Sequence, residues 1–218
     1  MKTPLFQSAG LECGRWHYPG LTLPAGVIAG WRTTDHAASV ELFDLIMGLC
    51  PPPPGAAVWF GHDLAELSTE EILGLLRRLA PLTSGGGLIG NLNIGDNIML
   101  PLAERNPPAV DRAVAELEEI LDRDPWRHWL PGETLARLPF QVTHLERCLA
   151  GILRAYTLKP EAIVSCHFFH LLEAEARRIA NSAVVWLRQV RPDSAWLVLT
   201  AETQLPEAWT GNILEPKR

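Results

Sequence analysis

Short apolar runs alternate with amphipathic stretches along this chain, which predicts alternating strands and helices. Val27 to Arg32 is largely apolar and predicts a short buried strand. Ser39 to Leu49 predicts a helix with one apolar face, and the prolines and glycine of Pro51 to Gly55 exclude helix after it. Leu21 to Leu23, closed by Pro24-Ala25-Gly26, predicts a strand end and a turn. The order predicts an α/β arrangement.

The pattern continues beyond the prolines. Residues 56–64 predict a strand and a turn, with Gly61, His62 and Asp63 at the turn. Ser68 followed by Glu71 has the spacing of a capping box, which predicts the start of a helix. That helix is predicted to carry Leu73, Leu76 and Leu79. Between Pro107 and Tyr156 the pattern is helical, with one buried face predicted at Val110, Val114, Leu117 and Leu121.

Composition limits the class of protein. The chain has 218 residues, 47% of them hydrophobic and 20% charged, which fits one large domain or a core with a subdomain. A net charge of −6 argues against a nucleic-acid partner, because phosphates would require a basic face. The first residues lack the features of a secretory signal and no run of about 18 apolar residues occurs, so a cytoplasmic protein is expected. The four cysteines lie far apart without a C-x-x-C pair, which favours buried or idle thiols over a disulfide framework.

Several segments resemble the motif regions of ATP-binding-cassette (ABC) ATPases. They are Gly26 to Leu49, Gly85 to Leu102, Val142 to Pro160, Glu161 to Glu173 and Ser194 to Leu205. The resemblance implies an α/β fold, the P-loop NTPase-like ABC ATPase fold with a helical subdomain. It further implies a single ABC-like domain over residues 1–218. Residues 1–102 and 157–218 would form a RecA-like α/β core with an N-terminal β segment, and residues 103–156 the helical subdomain.

The positions that would contact ATP in this family carry other residue types here. A phosphate loop uses glycines, a lysine and a Mg²⁺-binding hydroxyl. The corresponding residues are Thr33 and Ala38 at the glycines, Ser39 at the lysine and Val40 at the hydroxyl. Cys166 stands at the Mg²⁺-binding aspartate, His167 at the catalytic glutamate and Ala201 at the switch histidine. The Q-loop glutamine is missing near Thr83 to Gly85, and Val142 to Glu146 replaces the signature. The resemblance therefore implies a pseudo-ATPase without catalytic residues and without a bound cofactor.

The old nucleotide cleft also admits other interpretations. Cys166, His167 and His170 could hold a metal, with His36, His144 or Cys148 approaching in the fold, although a strand would direct Cys166 and His167 to opposite faces. The cleft would then serve a binding or redox module for a metal or for another ligand. Nucleotide binding without turnover is a further alternative, with Arg32 supplying charge near phosphates. Trp16 and Tyr18 lie where the family stacks adenine, or in the core, and Trp126 and Trp129 could face a partner. The loop Ser84 to Gly87 is expected to be flexible.

The segment Gly85 to Leu102 resembles that of exporters and of the ATPase subunits of bacterial MCE-type lipid transporters. The candidates for docking to a partner are Asn91, Leu92, Asn97, Leu100 and Pro101, unless these are simply packing residues. The expected partners are an integral membrane permease, an active ABC ATPase subunit, or both, in a homo- or heterodimer. The resemblance implies a peripheral position at the inner face of a membrane and a role in transport, with lipid as one candidate substrate.

Overall fold

The computed structural model describes residues 4–202, 206 and 209–217. These residues form two compact units. The first unit comprises the described parts of Met1–Pro81, Pro160–His167 and Pro192–Arg218. The second comprises Leu82–Lys159 and Phe168–Arg191. The predicted boundaries at residues 102 and 157 stay a prediction. Leu205, the last residue of the segment Ser194 to Leu205, lies outside the described residues.

The described strands form two sheets. The described strands are β1 (Phe6–Cys13), β2 (Trp16–Leu23), β3 (Ile28–Arg32), β4 (Val58–Trp59), β5 (His62–Asp63), β6 (Leu79–Thr83), β7 (Ala162–Cys166), β8 (Ala195–Thr200) and β9 (Asn212–Leu214). One sheet has the order β2-β1-β4-β5, and its described pairs are antiparallel. The other has the order β6-β7-β8-β3-β9, with β3 parallel to both β8 and β9 and β7 parallel to β8. Every residue of β7 and β8 is buried, as expected for parallel strands covered on both faces.

The described α-helices are α1 (His36–Ile46), α2 (Thr69–Leu76), α3 (Ile94–Arg105), α4 (Val110–Leu121), α5 (Trp126–Trp129), α6 (His144–Leu158) and α7 (Ala174–Val190). Helix α1 begins three residues before the predicted Ser39, because the Asp35 carboxylate accepts a hydrogen bond from the Ala38 N–H and starts the helix. It ends at Ile46, before the predicted Leu49, and Gly48 follows with a φ of 63°. That left-handed conformation suits glycine and cannot continue a right-handed helix.

The capping box of α2 is confirmed, since Ser68 and Glu71 exchange the expected hydrogen bonds. The helix carries Leu73 and Leu76 as predicted, but the prediction for Leu79 is wrong. The helix ends at Leu76, so Leu79 lies buried on strand β6. On α4 the buried residues are Ala113, Leu117 and Leu121, whereas Val114 is exposed. Ala113 takes the place predicted for Val114 because an i, i+4, i+8 series ending at Leu121 begins at Ala113.

The glycine-rich loop Ser84–Gly87 packs closely against α6, contrary to the expectation of a flexible loop. A Cβ atom on Gly86 would overlap the Arg147 carbonyl, and Gly86 has a φ of 75°. The buried Arg154 guanidinium donates to the carbonyls of Gly86 at 2.6 Å and Gly87 at 2.9 Å. Close backbone approach, rather than conformational freedom, explains the glycine at position 86. Across the described residues, no helix is both long and apolar enough to cross a membrane.

Candidate functional site

The loop that leaves the carboxyl end of β3 is the candidate site in the first unit. Such positions at the carboxyl ends of parallel strands are the usual ligand sites of open α/β sheets. Two hydroxyls are turned inward here, because Thr33 of the loop and Ser39 of α1 are hydrogen-bonded to each other through their side chains and both are buried, whereas Thr34 is exposed. The Thr33 hydroxyl also lies 3.1 Å from the Asp35 carbonyl, and its N–H donates to the Thr200 carbonyl at 2.8 Å. Polar groups in this loop therefore bond to the protein itself.

Asp35 occupies the N-terminus of α1 as its cap. Its Oδ1 accepts from the Ala38 N–H at 2.9 Å. A helix N-terminus attracts anions through its free N–H groups and its dipole, and phosphate is the anion that this position binds in phosphate loops. In this chain the anion is the side chain of Asp35. Val40, in the first turns of the same helix, is apolar and 40% exposed.

Cys166 closes β7 and faces α1. Its thiol lies 3.5 Å from the Ser39 carbonyl oxygen. Burial raises the pKa of Cys166 to about 12, and the negative charge of Asp44 adds to this rise. The thiol is therefore neutral near pH 7, and a neutral thiol is a poor ligand for Mg²⁺, which prefers oxygen.

His167 follows Cys166 with a φ of 50°, so the strand does not continue through it. Its N–H donates to the Leu199 carbonyl at 3.2 Å. The imidazole stacks on that of His36, with ring centroids 4.1 Å apart, and its Nε2 lies 3.3 Å from the His36 carbonyl oxygen. The structure thus brings His36 to His167 by ring stacking, an arrangement that does not direct both rings at one metal ion.

Ala201 and Arg32 are the remaining predicted residues of the cleft. Ala201 follows β8 and is partly buried. Arg32 donates from Nε to Glu215 Oε1 at 2.7 Å and from its guanidinium to the Glu202 carbonyl. The charge of Arg32 is therefore balanced by a neighbouring carboxylate, which weakens the case for a phosphate contact there.

The metal interpretation finds no support among the described residues, which contain no group of three or more His, Cys, Asp or Glu side chains placed to hold an ion. His170 belongs to the second unit, whereas Cys166 and His167 belong to the first. Within the second unit the His170 carbonyl oxygen accepts from the Ser84 hydroxyl at 3.3 Å and lies 3.1 Å from His144 Nε2. Cys148 is buried in the same unit.

The segment at the signature position opens α6 in the second unit. Thr143 is the N-cap, and its hydroxyl accepts from the Glu146 N–H at 3.2 Å. Glu146 Oε2 accepts from both the N–H and the hydroxyl of Thr143, each at 2.7 Å. This is a capping box, in which a carboxylate of the chain closes the helix N-terminus. The Thr-x-x-Glu spacing predicts this capping box from the sequence, whereas the resemblance to ABC ATPases does not.

Comparison with known proteins identifies the fold. No family model matches the chain. In solved structures, the chain is similar to the ATP-binding cassette MJ0796 bound to ADP and Pi, with a TM-score of 0.71, 15% identity and coverage of 98% of this chain and 93% of that one. It is also similar to CbiO1 from Clostridium perfringens, part of the CbiONQ ABC transporter complex, with a TM-score of 0.76, 9% identity and coverage of 99% and 86%. The fold is that of an ATP-binding cassette.

The sequence is similar to ATP-binding proteins of transport and import. The probable ribonucleotide transport ATP-binding protein Mkl of Mycobacterium tuberculosis H37Rv is 26% identical over 149 residues, 68% of this chain and 40% of the relative. The methionine import ATP-binding protein MetN 1 of Burkholderia pseudomallei K96243 is 26% identical over 164 residues, 74% of this chain and 45% of the relative. The chain thus spans less than half the length of these curated relatives.

Within this cassette fold the docking candidates differ in exposure. Asn91 is exposed, and Leu92, Leu100 and Pro101 are partly buried. Asn97 is 2% exposed. Its Oδ1 accepts from the Ile89 N–H at 2.6 Å, and its Nδ2 donates to the Ile89 and Leu92 carbonyls at 3.0 Å each. Asn97 therefore shapes the loop that presents Asn91 and Leu92 rather than meeting a partner itself.

The aromatic candidates are mostly packed. Tyr18 is fully buried in the core of the first unit, which favours the core interpretation over adenine stacking. Trp16 is partly buried and lies beneath the Arg15 guanidinium, 5.5 Å from the ring centroid. In the second unit Trp126 is 2% exposed and contacts the rings of Trp129 and Trp186. Trp126 thus packs inside its unit, whereas Trp129 keeps some exposed surface.

Proposed function

We propose that this chain is a non-hydrolysing ABC-type subunit that acts as a scaffold or regulator of a membrane transporter. The observation that carries the proposal is the state of two helix N-termini. In the ABC ATPases that this chain resembles, the N-termini of the helices equivalent to α1 and α6 contact nucleotide phosphates. Here Asp35 caps the first, and the capping box of Thr143 and Glu146 closes the second, so a phosphate at either end would meet a carboxylate.

The residue types at the cleft support the same proposal. Phosphoryl transfer depends on positioning and on charge neutralisation by a lysine and Mg²⁺. Ser39 at the lysine position is buried, and Cys166 at the aspartate position is a neutral thiol. An imidazole such as that of His167 can act as a general base. With the lysine and the Mg²⁺-binding aspartate replaced, no residue at those positions would hold the phosphates in place for it.

The proposed partners are a membrane permease, an active ABC ATPase subunit, or both, with the chain at the inner face of the membrane. Mkl and MetN 1 are transport ATP-binding proteins by name, which supports a transport setting. The resemblance of Gly85 to Leu102 to the ATPase subunits of MCE-type transporters favours a lipid as the transported substrate. The surface of Asn91, Leu92, Leu100 and Pro101 is the proposed docking site.

The direct test measures phosphate release and nucleotide binding on the purified chain. With Mg²⁺ and ATP we expect phosphate release equal to a no-protein blank, and no rise in the thermal midpoint with millimolar ATP or ADP. A ligand at 100 times its dissociation constant would stabilise the folded state by about 2.7 kcal/mol, an effect that is easily measured. The Asp35→Asn variant is measured in the same way beside the wild type, because asparagine keeps the helix cap but removes the negative charge.

Each result has a defined meaning. Turnover in the wild type that disappears in His167→Ala would contradict the proposal. A midpoint rise with ATP but no turnover would favour nucleotide binding without hydrolysis. A rise with Zn²⁺ that is lost in Cys166→Ser would favour the metal-binding module.

A further inference from the structure

A cleft of about 360 Å³ lies within the second unit, between the ends of α3 and α6 and the start of α4. The buried part of its apolar lining consists of Leu102, Ala113 and Leu158, each at most 9% exposed, and Ala109 is partly buried. The volume lies at the lower end of the range for small-molecule sites, roughly 300–1,000 Å³. The cleft has the size for a small ligand with an apolar part.

Basic side chains dominate the polar lining of this cleft. Arg105, Arg112 and Lys159 line it together with one carboxylate, that of Glu116. Three basic residues and one acidic residue leave an excess of two positive charges, in a chain whose net charge is −6. Such a local reversal of sign favours an anionic ligand.

Two of the three cations already converge on the carboxylate of Glu116. Arg112 Nε lies 2.8 Å from Glu116 Oε1, and Lys159 Nζ lies 3.9 Å from Glu116 Oε2. The helix dipole explains Arg105 and Lys159, because the carbonyl ends of α3 and α6 attract cations. Arg112 stands in the first turn of α4, where the dipole is unfavourable for a cation, so its position is explained by the i, i+4 pair with Glu116, and its side chain is 81% exposed. The N-cap of α4 is Ala109, which supplies no capping side chain.

We propose that this cleft binds a small phosphomonoester that carries a short apolar group. A phosphomonoester has a charge of about −1.5 to −2 near pH 7, which matches the excess positive charge. The planar guanidinium of Arg112 can donate two parallel hydrogen bonds to phosphate oxygens. The apolar group would contact Leu102, Ala113 and Leu158. This site is independent of the proposed function, since it involves none of the residues of the nucleotide cleft or of the docking surface.

Calorimetric titration with n-butyl phosphate tests the proposal on the full chain. Arg112→Gln should weaken binding by about tenfold or more, because a charge-assisted hydrogen bond is lost. Glu116→Gln should strengthen binding, because the competing carboxylate is removed. Arg123→Gln is the matched control, since Arg123 forms an equivalent i, i+4 pair with Glu119 on the same stretch of chain but does not line the cleft. If the Arg112–Glu116 pair had only a structural role, Glu116→Gln would not bind n-butyl phosphate more tightly than the wild type does.

The source of the phosphate is resolved by a second measurement, flotation with phosphatidylcholine vesicles that contain or lack phosphatidate. Arg112-dependent binding of butyl phosphate alone assigns the site to a free metabolite, and Arg112-dependent binding of phosphatidate vesicles alone assigns it to a lipid headgroup. Absence of binding to both probes, in the wild type and in Glu116→Gln, would overturn the proposal. Equal binding by the wild type, Arg112→Gln and Glu116→Gln would overturn it as well.

Discussion

Among single residues, the four cysteines differ sharply in access and acidity. Cys50 is exposed, whereas Cys13, Cys148 and Cys166 are buried. Burial raises the pKa of Cys148 to about 11 and those of Cys13 and Cys166 to about 12, with the carboxylate of Glu41 adding to the shift at Cys13. Reaction with a disulfide reagent requires the thiolate, so these three thiols should be inert near pH 8.

The expected result with an aromatic disulfide reagent is one fast-reacting thiol per native chain and four after unfolding. Cys50→Ser should abolish the fast phase, and Cys166→Ser should leave it unchanged. Because the three buried thiols have folded pKa values above the unfolded value of about 8.5, the free energy of unfolding should fall as the pH rises through and above that value. A fast-reacting Cys166 in the native chain would contradict the burial on which the interpretation of the cleft depends.

At the scale of elements, the contact between the Ser84–Gly87 loop and α6 should contribute strongly to stability. Gly86→Ala adds a Cβ that overlaps the Arg147 backbone and forces alanine into a left-handed conformation. We expect a loss of about 1–2 kcal/mol from the conformation and about 1–3 kcal/mol more from overpacking. Urea unfolding, followed by circular dichroism, measures the difference.

Gly85→Ala is the matched control for this contact. Gly85 also has a positive φ, but the nearest atom to an added Cβ is His144 Cε1 at 3.5 Å, an ordinary contact distance. It should lose only the conformational part, about 1–2 kcal/mol. Equal losses in the two variants would show that the backbone overlap at Arg147 is relieved at no cost.

Element types were largely predictable from the sequence, and their ends were less so. The buried strand β3 and the capping box of α2 followed from apolar runs and from the Ser68 and Glu71 spacing. The start of α1 depends on a single hydrogen bond that the Asp35 carboxylate accepts from the Ala38 N–H, which periodicity does not report. The packing of Gly86 was hidden for a different reason: a glycine gives the same local signal in a free turn and in a close backbone contact.

The candidate site was predictable as a set of positions but not as an arrangement. The resemblance to ABC ATPases placed Thr33, Ser39, Cys166 and His167 at one cleft, and the structure brings them together in the first unit. The inward pairing of the hydroxyls and the stacking of His36 on His167 depend on side-chain rotamers, which no linear pattern encodes.

At the scale of the whole molecule, the proposed role requires a protein partner, and the surface at Asn91 offers a test of it. Asn91 is exposed, so Asn91→Arg should leave the folded state intact, since exposed substitutions usually change stability by less than about 0.5 kcal/mol. A charge at the centre of a docked surface is costly, because it would lose water without gaining a partner. We therefore expect Asn91→Arg to lose the partner in affinity capture from membranes of the source cell.

The control for that capture is Gln189→Arg, which makes the same change of charge at a position on α7 of the same unit that is also exposed. Recovery of a polytopic membrane protein or an active ABC ATPase by the wild type and by Gln189→Arg, but not by Asn91→Arg, is the expected result. Equal recovery by all three would move the docking site away from Asn91. Recovery of neither class of partner by the wild type would remove the main support for a scaffold, even if the chain binds no nucleotide. A non-hydrolysing cassette can act on a transporter only through a partner protein.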